Sequence, residues 1–467
     1  MRFDEHFLTG ALSEISLEGK NFPKDVKFSI DSRTLQKGEI FIALRGAKVD
    51  GHDAIGDALK MGAAGVFVSE RKALKAVDSH LLKDRLVAVV PDTLVALVKL
   101  ARIWRAQFDY PVVAITGSVG KTTTKEMVSN ILNFGKKKYV ASYENQNTKI
   151  GLCLNILKMR PEHEVAVFEV GISRRGEMAE LVDILRPTTA LITSVGHSHM
   201  EGLGSLSDIA SEKRKVFIHF KQDSIGLING DLPVLAGVGY DYPVIKFGTK
   251  TTNQIQARKI HISGDTINFV LKIYQKKYSV TLKNTHMGAV YNALAAATIG
   301  NFLNIDHEVI VNGIQVPIDV SSRFEKLKIS KERGVIINDC YNASPESVKA
   351  ALFALEHMDT DSKKIAVLGD MLELGVNGPF WHRQLGRILR KVSSLKHIVL
   401  VGDMVTWTKK TIPIDVSVEH VATWKDATKI LEKMMDRESL VLVKGSNGMN
   451  LNKLIDYFSD KKIAEAS

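Results

Sequence analysis

The sequence is poor in cysteine, with only Cys153 and Cys340 among its 467 residues. A disulfide scaffold needs several cysteines at regular spacing, and a structural zinc site needs them in close pairs. Two thiols this far apart provide neither arrangement. We therefore expect both cysteines to be reduced residues of the protein core.

Long apolar segments are also missing. No stretch approaches the roughly 20 apolar residues that cross a bilayer. The first ten residues, MRFDEHFLTG, lack the basic and apolar regions that a secretion signal needs. We expect a cytoplasmic protein, without membrane insertion, that works as a monomer.

Acidic residues are fewer than basic ones, 52 against 63, which gives a net charge of +11, and aromatic residues amount to only 7%. A basic excess suits an anionic partner, which can be nucleic acid, a membrane surface or a phosphorylated small molecule. The basic residues are spread along the chain and form no arginine-rich arm. This distribution favours small-molecule substrates and predicts no nucleic-acid partner.

The length predicts more than one domain, because single cores stop growing at roughly 250 to 300 residues. Residues 1–108 mix short apolar runs with polar turns and end in a helix from Thr93 to about Gln107, as in a small α/β domain. Residues 109–317 contain the fully apolar runs VVAIT, VAVFEV, TALITSV and SIGLING between helices, which is typical of a mainly parallel sheet. Residues 318–467 repeat the alternation with GVIIND, KKIAVLGD, HIVLVGD and SLVLVKGS, as in a Rossmann-like fold. The fold class is therefore α/β with three domains.

The segment VVAITGSVGKTTTKEMVSNIL, residues 112–132, joins an apolar strand, a glycine turn, a Lys-Thr pair and a helical pattern. Glycines let the backbone amides of residues 117–121 point at a phosphate, and the helix that follows presents its positive end. Lys121 is expected to contact the β and γ phosphates, and Thr122 to offer its hydroxyl to Mg²⁺. Ile115 stands where the strict phosphate-loop pattern has its first glycine. The context still predicts ATP or GTP binding.

Two further residues follow apolar strands of the same domain. Glu169 ends VAVFEV and His199 follows TALITSV, so both are expected where strand ends meet a ligand crevice. A carboxylate and an imidazole there can complete a Mg²⁺ site that begins with Thr122. His197 competes with His199 for this role. Taken singly, each residue is more often a cap or an ion-pair partner.

Many segments resemble the Mur ligase family, and within it the MurF type. They are DSRTLQKGEIFIALRGAKVDGHDAI, the shortened TGSVGKT loop, ENQNTKIGL, FEVGISRRGEM, ITSVGHSHMEGLGS, SSRFEK, NDCYNASPESVKAAL, VLGDMLELG with His382, and LVKGS. The matches occur in order along nearly the whole chain. The resemblance implies a UDP-sugar domain, an ATP domain and a domain for the incoming amine, and it implies two magnesium ions.

The resemblance also implies roles for individual residues. Those expected at the nucleotide are Gly117, Ser118, Val119, Gly120, Lys121, Thr122, Thr123, Asn147, Asn292, Arg323, Asp339 and Asn342. Those expected at the other substrates are Ser32, Arg33, Asp50, Gly51, His52, Lys444 and Ser446. The metal ligands implied are Thr122, Glu169, His199 and Lys213, and the catalytic residues are Lys121, His199 and Lys213.

Lys213 resembles a lysine that CO₂ converts into a carbamate able to bind a second Mg²⁺. Such chemistry needs a neutral amine, which burial and neighbouring positive charge favour. Lys215 stands where MurF-type members usually have glutamate, so the register between the two lysines stays open. Other departures from the family pattern are Thr148, Gly288 and Asn338.

The reaction implied joins D-Ala-D-Ala to UDP-MurNAc-tripeptide at the expense of ATP, through an acyl phosphate. One alternative is a sibling ligase that adds another amino acid or glutamate, such as a tripeptide synthetase or a folylpolyglutamate synthetase. Another is a P-loop switch or nucleic-acid-dependent ATPase, which gives no role to His199 or Lys213. The sequence leaves the third residue of the tripeptide open between lysine and diaminopimelate.

Overall fold

A computed structural model describes residues 4–19, 22, 26–46, 49–144, 146–318, 320–330, 334–358, 362–412 and 416–466. The chain divides into two compact units. The first contains residues 1–114, 137–171 and 179–188, and the second contains residues 115–136, 172–178 and 189–467. Among the described residues, the strands form three sheets.

The first sheet lies in the first unit and has the strand order β1-β5-β4-β3-β2. Its strands are β1 (Ser16–Glu18), β2 (Phe28–Ser29), β3 (Ile40–Ile42), β4 (Gly65–Val68) and β5 (Leu86–Val89). The accompanying helices are α1 (Glu5–Ala11), α2 (Ile55–Lys60), α3 (Ser79–Leu82) and α4 (Thr93–Arg105). The sheet is parallel except for β1, which pairs antiparallel with β5. Asp92 caps α4 by accepting hydrogen bonds from the amides of Leu94 and Val95.

The second sheet has nine strands. They are β6 (Val112–Thr116), β7 (Tyr139–Ala141), β8 (Val165–Glu169), β9 (Thr189–Ile192), β10 (Ile225–Asn229), β11 (Val244–Gly248), β12 (Ile255–Ser263), β13 (Thr266–Ile273) and β14 (Lys276–Leu282). In the first unit β7 pairs parallel with β8, and in the second unit β9 to β12 are parallel neighbours. The helices of this part are α5 (Lys121–Phe134), α6 (Lys149–Ile156), α7 (Glu177–Leu185), α8 (Met200–Leu203), α9 (Leu206–Arg214), α10 (Pro233–Ala236), α11 (Met287–Phe302) and α12 (His307–Gln315).

The third sheet lies in the second unit and has the order β15-β16-β20-β17-β18-β19. Its strands are β15 (Glu325–Ser330), β16 (Gly334–Asn338), β17 (Lys363–Gly369), β18 (Leu395–Val401), β19 (Ser417–Val421) and β20 (Ser439–Lys444). The helices are α13 (Pro345–His357), α14 (Gly378–Leu389), α15 (Thr406–Lys409), α16 (Trp424–Met434) and α17 (Asn452–Ala466). One face packs on α13 and α14 and the other on α16 and α17. We call residues 322–466 the C-terminal region.

The apolar runs identified in the sequence form the central strands of these sheets. Both cysteines are buried, as expected, and burial raises the pKa of each thiol to about 12. The hairpins β12–β13 and β13–β14 are antiparallel and were not predicted. The residues of β13 alternate between buried and half-buried positions, since one face of an antiparallel sheet can meet water.

The strands of each sheet fall within one of the three ranges proposed for the domains, although the bounds of those ranges stay a prediction. Within the described ranges, none of the helices combines the length and apolar character that crossing a membrane requires.

His382, one of the residues that carry the family resemblance, is a packing residue of the C-terminal region. Its side chain is fully buried on α14, and Nδ1 donates to the carbonyl of Gly378 at 2.8 Å. Nε2 accepts from the amide of Met371 at 3.1 Å, so the ring is neutral with its proton on Nδ1. Burial lowers the pKa of His382. The imidazole therefore stabilises the turn between β17 and α14.

We predict that His382→Gln lowers the free energy of unfolding of the C-terminal region by about 1–3 kcal/mol at pH 8, because a buried hydrogen bond is lost. The folded pKa of His382 lies below its unfolded value of about 6.5, so the unfolded state binds more protons as the pH falls. The wild type should lose this stability below about pH 6.5, and the gap to the variant should narrow towards pH 5.

Denaturant unfolding followed by tryptophan fluorescence measures this gap, since Trp381, Trp407 and Trp424 lie in the C-terminal region. A gap that stays constant between pH 8 and pH 5 contradicts the assignment of His382 as a buried neutral residue.

Candidate active site

The turn between β6 and α5 has the backbone of an anion-binding loop. Gly117 and Gly120 have φ angles of +147° and +93°, which side chains disfavour. A Cβ on Gly117 would lie 1.9 Å from Thr193 Oγ1, and one on Gly120 would lie 2.3 Å from Asn292 Oδ1. Both positions therefore require glycine. The first turn of α5 contains no acidic residue, so its positive end is available to an anion.

The segment that follows β9 fixes the shape of this loop. The amide of Ser118 donates to the carbonyl of Ser194 at 2.9 Å, and the amide of Val119 donates to Ser194 Oγ at 2.9 Å. Thr193 Oγ1 donates to the carbonyl of Val119 at 2.6 Å. The expectation that all amides of residues 117–121 point at a phosphate is corrected by these bonds. The amides of Ser118 and Val119 are occupied because they anchor the loop.

Lys121 begins α5 and folds back over the loop, where Nζ donates to the carbonyl of Gly117 at 2.8 Å. The ammonium group therefore lies on the loop itself. Thr122 and Thr123 follow in the first turn, and the side chain of Thr122 is buried. Asn292, on α11, accepts from Thr124 Oγ1 at 3.4 Å. The structure thus brings Lys121, Thr122 and Asn292 together at one helix end, as the sequence predicts.

Lys213 lies at the end of α9 and only 2% of it is exposed. Its pKa is well below the ordinary lysine value, first because of burial and then because of the charge of Lys121, while Glu212 acts in the opposite direction. Lys215 donates to Glu212 at 2.6 Å, and Glu212 also accepts from the amide of Gly176. Lys213 is therefore a buried amine whose pKa is lowered, whereas Lys215 is an ion-pair partner of Glu212.

His199 precedes α8 in the left-handed conformation, with φ +58° and ψ +32°. Its Nδ1 contacts the carboxylate of Glu373 in the C-terminal region. Burial lowers the pKa of His199, Glu373 opposes this shift, and the charges of Lys121 and Lys213 add to it. His199, Lys121 and Lys213 therefore lie within one electrostatic neighbourhood.

His197, the competing candidate, has a different environment. Its Nδ1 lies 2.5 Å from Glu346 Oε1, and its ring centroid lies 4.3 Å from that of Trp381. Both partners belong to the C-terminal region. The structure thus favours His199 over His197 as the imidazole beside the phosphate loop.

The residues expected from the C-terminal region form a cluster around a buried ion pair. Lys444 is 2% exposed, and its Nζ donates to Asp339 Oδ2 at 2.6 Å and to the carbonyl of Asn342 at 3.0 Å. The guanidinium of Arg323 stacks 3.9 Å above the ring of Tyr341. Lys444 was expected on the amine-substrate side. Its ammonium group donates instead to Asp339 and Asn342, which were expected at the nucleotide.

Ser446 and Asn338 have structural partners as well. The hydroxyl of Ser446 accepts from the amide of Leu372 at 2.9 Å, which fixes the turn after β17. Asn338 Nδ2 donates to Glu325 Oε2 at 3.1 Å, and an aspartate there would meet a like charge. This contact accounts for the departure from an Asp-Asp pair.

Glu169 and Asn147 belong to the first unit, so their placement relative to the phosphate loop stays a prediction. Glu169 ends β8 fully buried, and its amide donates to Ser142 Oγ at 2.9 Å. The backbone carbonyl of Asn147 accepts a hydrogen bond from the amide of Gly171, which lies two residues after Glu169. A Cβ on Gly171 would lie 2.7 Å from Asn147 Oδ1. These polar groups therefore lie close together at the end of β8.

The predicted UDP-binding residues also lie in the first unit. The side chain of Arg33 is 85% exposed and bonds Asp31, which lowers the pKa of that carboxyl. The side chain of His52 is 7% exposed, contacts Asp50 through Nδ1 at 2.6 Å and accepts from the amide of Ser69 at 3.0 Å. Gly51 approaches Leu44 so closely that a Cβ would lie 2.8 Å from its amide nitrogen. Ser32 lies in the same turn as Arg33.

His52, Asp50 and Gly51 therefore shape the loop, and Arg33 is the exposed cation that a diphosphate can reach.

Three site residues were missed by sequence reasoning. Glu346 and Glu373 contact the histidines, although both stand in segments quoted for the family resemblance. His286 caps α11, accepting from the amide of Gly288 at 2.8 Å. Burial lowers its pKa, and Asp339 and Lys444 are near enough to act on it. The sequence NTHMG before an apolar helix is a capping signal that could have identified it.

In the described part of the chain, no group of three or more His, Cys, Asp or Glu residues is arranged as a metal site. Mg²⁺ keeps several waters and is usually held by one or two protein groups together with substrate phosphates. The hydroxyl of Thr122 and the imidazole of His199 lie on the second unit beside the phosphate loop. The donor set therefore suits a metal that arrives with a nucleotide.

Comparison with known proteins identifies the family. The Mur ligase family catalytic domain matches residues 27–104, the Mur ligase middle domain matches 115–300, and the Mur ligase glutamate ligase domain matches 322–447. The UDP-N-acetylmuramoyl-tripeptide–D-alanyl-D-alanine ligase of Bacillus subtilis is 32% identical over 91% of each chain. The Escherichia coli protein of the same name is 29% identical over 94% of each chain.

Solved structures agree with these matches. MurF from Acinetobacter baumannii is 25% identical and superposes with a TM-score of 0.83, covering 98% of this chain and 99% of that one. MurF ligase from Thermotoga maritima in complex with ADP is 27% identical with a TM-score of 0.78, covering 94% and 99%. The chain therefore belongs to the Mur ligase family and is a member of its MurF type.

Proposed function

We propose that this protein is an ATP-dependent ligase that joins D-Ala-D-Ala to UDP-MurNAc-tripeptide, with release of ADP and phosphate, in peptidoglycan synthesis. Relatives across most of the chain are named for this reaction, and a MurF relative was solved with ADP. Within the structure, the observation that carries the proposal is the grouping of Lys121, Lys213 and His199 beside a glycine loop. A glycine loop with the ammonium group of Lys121 on it, at the positive end of α5, suits a triphosphate.

The first step is attack of the terminal carboxylate of the tripeptide on the γ-phosphate of ATP. Phosphoryl transfer depends on placement and electrostatic stabilisation more than on covalent help. In the structure the ammonium group of Lys121 donates to the carbonyl of Gly117. It has to leave this carbonyl to contact the phosphates as their negative charge develops. The acyl phosphate forms as the bond between the γ-phosphate and ADP breaks.

The amine of D-Ala-D-Ala then attacks the activated carbonyl, and the tetrahedral intermediate expels phosphate. Holding both reactants in line supplies much of the acceleration. Water must be kept away, because the acyl phosphate would otherwise be hydrolysed. The C-terminal region, which meets the histidine-bearing segment through Glu346 and Glu373, is the part of the chain suited to this exclusion.

Magnesium would be held by Thr122, His199 and Glu169, where it would neutralise phosphate charge during transfer. Lys213 would hold a second ion after its amine adds to CO₂, which gives a carbamate and releases one proton. The burial of Lys213 and its lowered pKa support this modification. Asn292, Arg323, Asp339 and Asn342 remain our candidates for nucleotide contacts, and Arg33 for the UDP diphosphate.

Phosphate release by the purified protein with ATP and Mg²⁺ tests the proposal directly. We expect release only when UDP-MurNAc-tripeptide and D-Ala-D-Ala are both present, together with a product whose mass equals the UDP-MurNAc-pentapeptide. Tripeptides ending in lysine and in diaminopimelate should be compared. Activity with glutamate or a single amino acid in place of the dipeptide would support a sibling ligase, and release that needs neither acceptor would support a plain ATPase.

Lys121→Met should lower kcat by about 10²–10³-fold, since a cation that stabilises the transferring phosphoryl group is removed. Steady-state ADP release measures the effect. Lys429→Met is the matched control, because Lys429 is an exposed lysine paired with Asp426 in the C-terminal region. Equal kcat values for the two variants would contradict a role of Lys121 in phosphoryl transfer.

Turnover should fall in CO₂-depleted buffer and recover when bicarbonate is added, because Lys213 needs CO₂ to become a carbamate. Protein equilibrated with ¹³C-bicarbonate should show a carbamate signal by NMR that Lys213→Arg lacks, since a guanidinium cannot form it. The exposed Lys221 supplies the control variant Lys221→Arg. Turnover indifferent to bicarbonate, with no carbamate signal, would contradict this role.

A further inference from the structure

The carboxylate of Glu346 contacts the backbone of the segment that contains His199. We call residues 195–204 the histidine loop. The amide of His197 donates to both carboxylate oxygens of Glu346, at 3.1 and 3.2 Å. His197 Nδ1 adds a contact of 2.5 Å to Oε1. The carboxylate of Glu346 thus contacts both the backbone amide and the imidazole of His197.

The loop leaves room for this carboxylate because residue 196 is glycine. A Cβ on Gly196 would lie 2.8 Å from Glu346 Cδ and 2.9 Å from Oε2. Any larger residue would push the carboxylate away. Glu346 itself is well fixed, since it follows Pro345 in the first turn of α13, whose start is closed by a capping box of Ser344 and Ser347.

The other side of His197 and the residues after it also meet the C-terminal region. The ring of Trp381 lies against that of His197, tilted by 48°. Met200 packs against the apolar core on the α13–α14 face of the third sheet. The amide of Glu201 donates to the carbonyl of Glu373 at 3.0 Å. The histidine loop is therefore held on both sides of His199.

Holding the loop matters because His199 has a backbone conformation that L-residues disfavour. Its φ of +58° lies in the left-handed region, where the Cβ crowds the following carbonyl oxygen. Such a residue persists only where its surroundings determine the conformation. The imidazole of His199 contacts Glu373, and the neighbouring His197 contacts Glu346 and Trp381, all in the C-terminal region. On the other side, the amide of Gly196 donates to Ser118 Oγ of the phosphate loop at 2.9 Å.

We infer that Glu346 is a positioning residue which, through His197, makes the geometry of His199 depend on contact with the C-terminal region. When the region is engaged, the imidazole is placed beside Lys121 and Lys213. When the Glu346 contact is lost, the loop relaxes and the site is no longer closed to water. The catalytic consequence rests on the proposed ligase function, while the effect on the loop does not.

Hydrogen exchange of the ligand-free, full-length protein tests the loop directly. Glu346→Ala should raise amide exchange in the histidine loop by about tenfold, because a charge-assisted hydrogen bond is lost. Glu346→Gln keeps the shape and an acceptor oxygen, so its effect should be smaller. Should Glu346→Ala fail to fold, the glutamine variant carries the same test.

Glu356→Gln is the matched control. Glu356 lies on the same helix, but its carboxylate accepts from Ser393 and Ser394 inside the C-terminal region. We expect no change of exchange in the histidine loop for this variant. If the two Glu346 variants behave like Glu356→Gln, the inference is overturned.

A second measurement asks whether the loop controls the reaction. The ratio of phosphate released to peptide bonds formed should rise several-fold in Glu346→Ala, as water intercepts the acyl phosphate, while the KM for ATP stays unchanged. An unchanged ratio together with faster loop exchange would overturn the coupling to catalysis. If the wild type forms no peptide bond, the proposed function fails, and the exchange experiment still decides whether Glu346 positions the loop.

Discussion

The attachment of the phosphate loop to the segment after β9 is the contact on which the rest of the site depends. The amides of Ser118 and Val119 donate hydrogen bonds to Ser194, and the hydroxyl of Thr193 donates to the carbonyl of Val119. A glycine loop has little conformational preference of its own, so these bonds choose its shape. The same segment continues into the histidine loop. One short stretch of chain therefore sets the phosphate-binding backbone and presents the imidazole.

Electrostatic repulsion is the second feature of the site. Lys121, Lys213 and His199 are near enough for each lysine to lower the pKa of His199, and Lys121 lowers that of Lys213. Glu212 and Glu373 offset the charge only in part. Groups with strongly shifted pKa values in such an arrangement are typical of functional sites. A bound triphosphate or a carbamate would add negative charge beside these groups.

Two carboxylates of the C-terminal region, those of Glu346 and Glu373, contact this site, and both lie in turns that hydrogen bonds hold in place. Glu346 stands in a capped first turn, and Glu373 stands in the turn between β17 and α14 that His382 and Ser446 hold in place. Both carboxylates reach the histidine loop. A region expected to bring the amine substrate thus also contributes to the geometry of the ATP side. In the same region the buried Lys444 pairs with Asp339.

The sequence by itself determined the α/β class, the positions of the apolar strands, and the strand–glycine loop–helix unit with Lys121 and Thr122. These follow from local patterns, since apolar periodicity and glycine turns act over a few residues. It did not decide between Lys213 and Lys215 or between His197 and His199, because burial depends on distant parts of the chain. Lys213 is buried beside Lys121, whereas Lys215 pairs with Glu212. The roles of Glu346 and Glu373 likewise appear only in the tertiary structure, where residues more than a hundred positions apart meet.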